Sequence, residues 1–162
     1  MNQSKFFLVS WAELHRDTRA LAWSLIALPQ TQKSEWKGVI AVTRGGMVPA
    51  AVIARELGIR LVETVCISSY DEQDQGELHI LKGTGERVGK GEGWLVVDDL
   101  VDTGGTFKAI RDMAPAAHFA AVYAKPLGKP EVDSYVTEVS QDTWIHFPWD
   151  LEETFTPPLI KR

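Results

Sequence analysis

The sequence predicts an α/β protein with a central, mostly parallel sheet flanked by helices. Short aliphatic runs alternate along the chain with segments of helical spacing, and several of these runs end in charged or glycine-rich turns. The length supports the same prediction, because 162 residues suffice for one domain with a sizeable core. We therefore expect residues 1–162 to form a single domain.

The composition is typical of a soluble globular protein, with 44% hydrophobic and 24% charged residues. A net charge of −5 argues against nucleic-acid binding, since affinity for a phosphate backbone comes from clustered Lys and Arg. The one cysteine, Cys66, excludes an internal disulfide and lies in an apolar run, which indicates a core residue and a reducing compartment. Without a signal peptide or a membrane-spanning run, the expected location is the cytoplasm.

The first elements are a short strand at residues 6–9 and a helix. Ser10 and Glu13 have the spacing of a capping box, so the helix should begin there. Leucines at helical spacing share one face, and Pro29 ends the helix. We expect this helix to serve packing.

The second strand, residues 38–42, runs into the turn Thr43-Arg44-Gly45-Gly46. The following helix has Pro49 in its first turn and Gly58 as its C-terminal cap. A guanidinium beside two glycines and free helix amides suits a diphosphate. Taken alone, the motif is equally consistent with a surface turn.

The third strand, residues 60–68, is expected to bury four side chains: Val62, Val65, Cys66 and Ile67. We expect residues 71–93 to form a polar, glycine-rich segment without secondary structure, whose place between two site-bearing strands favours a lid. A mobile loop without a role is the alternative. Residues 83–89 miss the G-x-G-x-x-G spacing and residues 89–91 lack most of a P-loop, so neither near-match predicts a nucleotide site.

The most informative stretch is residues 94–106, a buried strand that ends in two carboxylates and a Thr-Gly-Gly-Thr turn. The turn, residues 103–106, opens a helix at 107–113, and its flexible glycines and free amides suit one phosphate monoester. Asp98 and Asp99 match ribose hydroxyls or Mg²⁺ instead. An ordinary strand–turn–helix is the alternative.

Residues 119–124 form a further core strand that leads to Lys125, which could donate to a carbonyl of a bound heterocycle or remain solvated. A final strand is expected at 135–139. Beyond it, Trp144, Phe147 and Trp149 are either core residues or a stacking surface for a purine.

Five segments together resemble the purine phosphoribosyltransferases: residues 43–46, 65–71, 97–106, 124–126 and 141–145. The resemblance implies the type I phosphoribosyltransferase fold, with a small hood from the N-terminal and C-terminal segments and a flexible lid at about 71–93. It also implies transfer of ribose 5-phosphate from 5-phosphoribosyl 1-diphosphate to guanine and xanthine, with hypoxanthine weaker and Mg²⁺ as cofactor. A cytoplasmic homotetramer, with peripheral contact to the inner membrane, is expected on the same ground.

The resemblance also assigns roles to individual residues. The implied diphosphate-sugar site comprises Arg44, Gly45, Asp98, Asp99, Asp102, Thr103, Gly104, Gly105 and Thr106, with Asp99 as the metal ligand. The implied purine site comprises the catalytic Asp102 at N7, Lys125 at O6, Trp144 as the stacking ring and Ile145 at the 2-substituent. The Thr43–Arg44 peptide is expected to be cis.

One departure from the family pattern is Gly76, which stands where relatives carry a lid arginine that contacts the diphosphate. The candidates to replace that arginine are His79, Lys82 and Arg87. Two other functions stay open: a hypoxanthine-preferring or different phosphoribosyltransferase, and a regulator that uses the same fold to sense nucleotides.

Overall fold

The computed structural model describes residues 5–28, 36–69 and 77–150, and it confirms the α/β class. The strands are β1 Lys5–Leu8, β2 Gly38–Thr43, β3 Val62–Ser69, β4 Leu78–Lys82, β5 Trp94–Val101, β6 His118–Ala124, β7 Ser134–Glu138 and β8 Thr143–His146. The helices are α1 Trp11–Ile26, α2 Met47–Glu56 and α3 Gly105–Met113, and short 3₁₀ turns lie at Glu86–Val88, Lys129–Glu131 and Pro148–Asp150.

Six strands form the main sheet in the order β4-β3-β2-β5-β6-β7, and all but the edge strand β4 run parallel. The central strands are in register, with Ala41 of β2 beside Val97 of β5 and Val97 beside Ala120 of β6. Their carboxyl ends therefore meet at one edge of the sheet, where open α/β sheets bind ligands.

The sequence correctly predicted how α1 begins. The backbone N–H of Ser10 donates to Glu13 Oε2 at 2.8 Å, and the backbone N–H of Glu13 donates to Ser10 Oγ at 3.2 Å, which completes the capping box. Leucines on one face of α1 are buried against the sheet. A buried hydrogen bond of 2.7 Å from the Tyr123 hydroxyl on β6 to Asp17 Oδ2 fixes the helix on the sheet.

A separate two-stranded parallel sheet pairs β1 with β8 and so joins the N-terminal and C-terminal parts of the described chain. We did not predict β8 as a strand, because its pairing partner is distant in sequence. The Phe7 and Phe147 rings each pack 5.8 Å from the Tyr123 ring, measured between centroids. These contacts fix the small sheet above the carboxyl end of the main sheet.

The prediction of a structureless segment at 71–93 is wrong for residues 77–93. Leu78–Lys82 forms β4, which pairs antiparallel with β3, and Glu86–Val88 forms a 3₁₀ turn. The flanking glycines and polar residues obscured this short apolar run. Residues 70–76, which include Gly76, lie outside the described part of the chain.

The predicted burial of β3 is also only partly right. Val65 is fully buried, but Val62 is 45% exposed and Cys66 and Ile67 are half-buried. Side chains alternate between the two faces of a strand, so Val62 and Cys66 lie on the face opposite to Val65, and that face of β3 is less covered. Among the helices at 5–28, 36–69 and 77–150, none has the length and apolarity needed to cross a bilayer.

Candidate active site

The turn after β2 lies directly on the carboxyl end of β5. A Cβ atom at Gly46 would lie 2.7 Å from the Val42 carbonyl oxygen and 3.0 Å from Asp98 Cα, while one at Gly45 would lie 2.6 Å from Asp99 Cγ. Only glycine permits this approach. The structure therefore combines the Arg44 turn and the acidic pair in one site, and the predicted cis Thr43–Arg44 peptide is confirmed.

The two carboxylates lie close together in a largely desolvated place. Asp98 is buried, and its Oδ1 accepts the backbone N–H of Asp99 at 2.9 Å; Asp99 Oδ1 accepts the backbone N–H of Leu100 at 2.7 Å. Burial, reinforced by repulsion from Asp99, raises the pKa of Asp98 well above its usual range, and burial also raises the pKa of Asp99.

A bound cation would reduce the free-energy cost of burying the two ionised carboxylates side by side. Mg²⁺ is commonly held by one or two carboxylates together with substrate oxygens and water. Asp98 and Asp99 fit that donor set, and residues 5–28, 36–69 and 77–150 contain no group of three acidic, His or Cys side chains that could form an all-protein cage.

The turn 103–106 opens α3 as predicted, but the helix begins at Gly105 and not at the predicted residue 107. Gly104 has φ of 89°, in the left-handed region, and precedes the first helical residue, Gly105. A Cβ atom at Gly104 would lie 2.8 Å from Glu131 Cγ, so the turn is packed against the loop that follows β6. The first amides of a helix have no intrahelical acceptor and form a suitable cradle for a phosphate.

Asp102 and Lys125 come together at the ends of β5 and β6. Lys125 Nζ donates to Asp102 Oδ2 at 2.9 Å, with the Lys125 side chain 6% and the Asp102 side chain 48% exposed. The backbone N–H of Lys125 also donates to the Val101 carbonyl at 2.9 Å. The lysine is therefore buried and paired, contrary to the solvated alternative, and its partner faces solvent at the mouth of the site.

Strand β8 contributes the two remaining predicted residues. Trp144 is 64% exposed whereas Ile145 is 5% exposed, as expected for neighbours on opposite faces of a strand. Phe147 belongs to the core, and its ring stacks on Trp149 with centroids 5.0 Å apart. Phe147 is thus a core residue that stacks on Trp149, whereas the Trp144 side chain is exposed on the outer face of β8.

A cavity of about 660 Å³ lies between the β2 turn and the segment after β8. Its lining residues are Trp11, Arg44, Gly45, Met47, Val48, Trp149 and Asp150. The cavity adjoins the place where the resemblance implies the diphosphate.

Sequence reasoning missed two residues that support the site. Gln141 Nε2 donates to Asp102 Oδ1 at 2.7 Å, and Arg111 Nη2 donates to the Glu131 carbonyl at 2.8 Å beside the Gly104 turn. Gln141 opened one of the segments that carry the family resemblance, which was the one available signal. Its contact with Asp102 spans 39 residues and appears only in the folded chain.

The candidates for the lid cation have different surroundings. Lys82 Nζ donates to the Thr64 carbonyl at 2.6 Å and so is bound to the neighbouring strand β3. His79 lies on β4 and Arg87 in the 3₁₀ turn. The replacement for the lid arginine stays a prediction.

A parallel sheet with an arginine–glycine turn after β2, an acidic pair at the end of β5 and a glycine turn that opens the next helix has the arrangement in which α/β proteins bind phosphorylated ligands. The phosphoribosyl transferase domain matches residues 10–156, and the chain belongs to this family.

The chain is also similar to curated relatives over nearly its full length. It is 58% identical over 158 residues to the xanthine-guanine phosphoribosyltransferase of Nitratidesulfovibrio vulgaris strain DP4, covering 98% of this chain and 93% of that protein. It is 60% identical over 155 residues to the enzyme of that name from Desulfotalea psychrophila, covering 95% and 92%.

Solved structures show the same fold. The purine phosphoribosyltransferase of Pyrococcus horikoshii aligns with a TM-score of 0.73 at 25% identity, covering 97% of this chain and 99% of that one. The Helicobacter pylori xanthine-guanine-hypoxanthine phosphoribosyltransferase aligns with a TM-score of 0.69 at 22% identity, covering 90% and 94%. The predicted type I fold is confirmed.

Proposed function

We propose that this protein is a purine salvage enzyme that transfers ribose 5-phosphate from 5-phosphoribosyl 1-diphosphate to N9 of guanine and xanthine. The products are pyrophosphate and GMP or XMP. The observation that carries the proposal is the buried Lys125 paired with Asp102 beside the phosphate turn, in a chain 58% identical over 158 residues to a xanthine-guanine phosphoribosyltransferase.

The sugar phosphate would lie across the ends of β2 and β5. In the proposal, the turn 103–106 holds the 5′-phosphate through helix amides, and Asp98 and Asp99 bind the ribose hydroxyls and Mg²⁺. When bound, Mg²⁺ supplies positive charge to the diphosphate. The exposed Arg44 guanidinium stabilises the charge that grows on the departing pyrophosphate.

The purine would lie over the ends of β5 and β6. The bond from C1′ to the diphosphate oxygen breaks, the bond from C1′ to N9 forms, and positive charge develops on the ribose between the two events. Asp102 accepts the imidazole N–H of the purine and fixes the direction of N9, while Lys125 donates to O6. Exclusion of water from this space limits hydrolysis of the sugar.

The expected preference among the three bases depends on the group at position 2 of the purine ring. A backbone carbonyl at Ile145 accepts the guanine amine, whereas xanthine places a carbonyl there and needs a bridging water or a local shift. Hypoxanthine leaves that partner unmet, at a cost of about 1–3 kcal/mol in a dry site. We therefore expect guanine to be the best substrate, xanthine to be accepted and hypoxanthine to be the poorest.

Steady-state kinetics on the three bases, with pyrophosphate release as readout, tests this function. The expected order of kcat/KM is guanine, then xanthine, then hypoxanthine. If hypoxanthine were preferred, the chain would belong with the hypoxanthine-specific enzymes. Salt-sensitive nucleic-acid binding without turnover would support a regulator instead, although the net charge of −5 disfavours one.

The homotetramer, the cytoplasmic location and peripheral contact with the inner membrane are further parts of the proposal, supported by the family resemblance. Light scattering coupled to size-exclusion chromatography measures the first: a mass near four times 18.0 kDa is expected. Sedimentation with lipid vesicles measures the last.

A further inference from the structure

Gln141 joins two loops that carry the purine side of the proposed site. Its Nε2 donates to Asp102 Oδ1 at 2.7 Å, after strand β5, and its Oε1 accepts the backbone N–H of Leu127 at 3.0 Å, after strand β6. Gln141 itself lies two residues before β8, the strand that carries Trp144. One half-buried amide therefore connects three elements of the site.

The neighbours of Gln141 determine where the oxygen and the nitrogen of its side-chain amide lie. A backbone N–H is only a donor, so the oxygen of Gln141 must face Leu127 and the NH₂ group must face Asp102. Lys125 Nζ has no acceptor capacity and donates to the other oxygen, Asp102 Oδ2, at 2.9 Å. Both carboxylate oxygens thus accept hydrogen bonds, and the plane of a side chain that is 48% exposed is held in one orientation.

We propose that Gln141 is a positioning residue for the purine, which fixes the Asp102 carboxylate and sets its orientation relative to the strand bearing Trp144. This deepens the proposed function and rests on it. The Lys125 ammonium group has three donors, so it can keep its hydrogen bond to Asp102 while it donates to a purine oxygen. One hydrogen bond still lets the carboxylate rotate, and a second one is needed to fix its orientation. Gln141 supplies that contact from the β8 side.

Orientation of an acid–base group affects the reacting geometry more than it affects binding of the distant sugar phosphate. Loss of the Gln141 donor should therefore lower kcat/KM for the purine and leave KM for 5-phosphoribosyl 1-diphosphate unchanged. A role limited to closing the loop after β6 predicts a different result, because that role needs only the acceptor oxygen.

Two variants separate the contacts. Gln141→Glu keeps an oxygen for the Leu127 N–H, removes the donor and opposes Asp102 with a like charge. Gln141→Met removes both contacts at similar length. Ser140→Ala is the matched control, because Ser140 Oγ bonds Asp142 Oδ1 at 2.7 Å and Thr143 Oγ1 at 2.6 Å in the same loop without touching Asp102.

The expected result for Gln141→Glu is a loss of about tenfold or more in kcat/KM for guanine, with KM for the diphosphate sugar within about twofold of wild type. For Gln141→Met we expect a smaller decrease in kcat/KM for guanine, and for Ser140→Ala almost no decrease. Gln141→Glu with wild-type kinetics beside an impaired Gln141→Met would overturn the proposal in favour of loop closure. Equal loss in both variants with a parallel rise in KM for the sugar would also overturn it.

If Gln141→Glu does not fold, as judged by circular dichroism, Gln141→Met is compared in the wild-type and the Asp102→Asn backgrounds. A loss of at least about fivefold in kcat/KM for guanine that disappears in the Asp102→Asn background supports the proposal, whereas an equal loss in both backgrounds, or wild-type kinetics for Gln141→Met, overturns it. A wild-type enzyme without turnover on any purine would instead remove the proposed function, so the two failures are distinguishable.

Discussion

Gly45 lies directly against the carboxylate of Asp99. A Cβ atom added to Gly45 would lie 2.6 Å from Asp99 Cγ and 2.7 Å from Asp99 Oδ1, distances at which one of the two groups must move. The absence of a side chain at Gly45 therefore leaves the space that the Asp99 carboxylate on the neighbouring strand occupies. The turn after β2 and the end of β5 form one rigid surface for this reason.

The variant Gly45→Ala should push the Asp99 carboxylate away from this surface. We expect KM for 5-phosphoribosyl 1-diphosphate to rise by about tenfold or more while KM for guanine changes little, because the proposal assigns Asp99 to the sugar and the metal and not to the purine. Initial-rate kinetics with each substrate varied in turn measures the split. Gly83→Ala is the control, since its added Cβ would meet only Met113 Sδ at an ordinary 3.5 Å.

The variant Asp98→Asn should stabilise the fold and reduce activity. Because burial raises the pKa of Asp98 in the folded protein, the protonated carboxyl's contribution to stability is fully present below about pH 4 and is lost as pH rises through the raised folded pKa. An amide keeps an acceptor for the Asp99 N–H without the charge. The free energy of unfolding of the variant should therefore exceed that of the wild type at pH 8.

Urea unfolding in the presence of EDTA at pH 8 and at pH 4 measures this effect. The gain should shrink at pH 4, where Asp98 of the wild type also binds a proton. Equal free energies of unfolding for the wild type and Asp98→Asn at pH 8 would contradict an electrostatic cost of burying the ionised Asp98 beside Asp99.

The variant Asp102→Asn should lower kcat by at least about tenfold with guanine, because an amide cannot accept the purine proton. Binding of the diphosphate sugar should stay intact, since Asp98, Asp99 and the turn 103–106, to which the proposal assigns the metal and the sugar phosphate, are unchanged. Calorimetric titration with the sugar and single-turnover kinetics measure the two steps. Unchanged turnover would remove Asp102 from the chemistry.

The variant Lys125→Ala removes the proposed donor to O6, which all three bases share. We expect kcat/KM to fall by about 10- to 100-fold for guanine, xanthine and hypoxanthine alike, the cost of losing a charged hydrogen bond. Lys129→Ala is the control, because Lys129 pairs with Glu138 at the surface beside the same loop. A loss confined to one base would contradict recognition of the shared oxygen.

The variant Trp144→Ala should raise KM for each base by about 3- to 10-fold through lost stacking, with little change in kcat. Trp23→Ala on α1 is a fair comparison, because Trp23 is 63% exposed and Trp144 is 64% exposed. If both variants gave the same small effect, the Trp144 ring would have no part in base binding.

Features that depend on near neighbours in the chain were correctly predicted. The capping box of α1 joins residues three apart, and the Gly104 turn acts on the helix that begins at the next residue. Local sequence fixes such structures because both partners are always close together. The same holds for the apolar runs of β2, β5 and β6.

The resemblance then assigned residues to the site, and the structure placed Asp102 beside Lys125 and Gly45 beside Asp99. Exposure was harder to predict. Val62 and Cys66 belong to an apolar run, yet both face away from the buried Val65, and the cover over that face of β3 decided how far each is exposed.

The sequence by itself determined the strand–turn–helix units and the order of the polar turns at the strand ends. Only the tertiary structure decided that β4 pairs with β3, that β8 joins β1, and that Gln141 holds Asp102 across 39 residues. The physical reason is that the residues of a strand, or a side-chain amide, do not specify by themselves which distant segment they will pair with. Partners are selected by the burial and hydrogen bonding of the whole chain, which must offset the entropy of closing each loop.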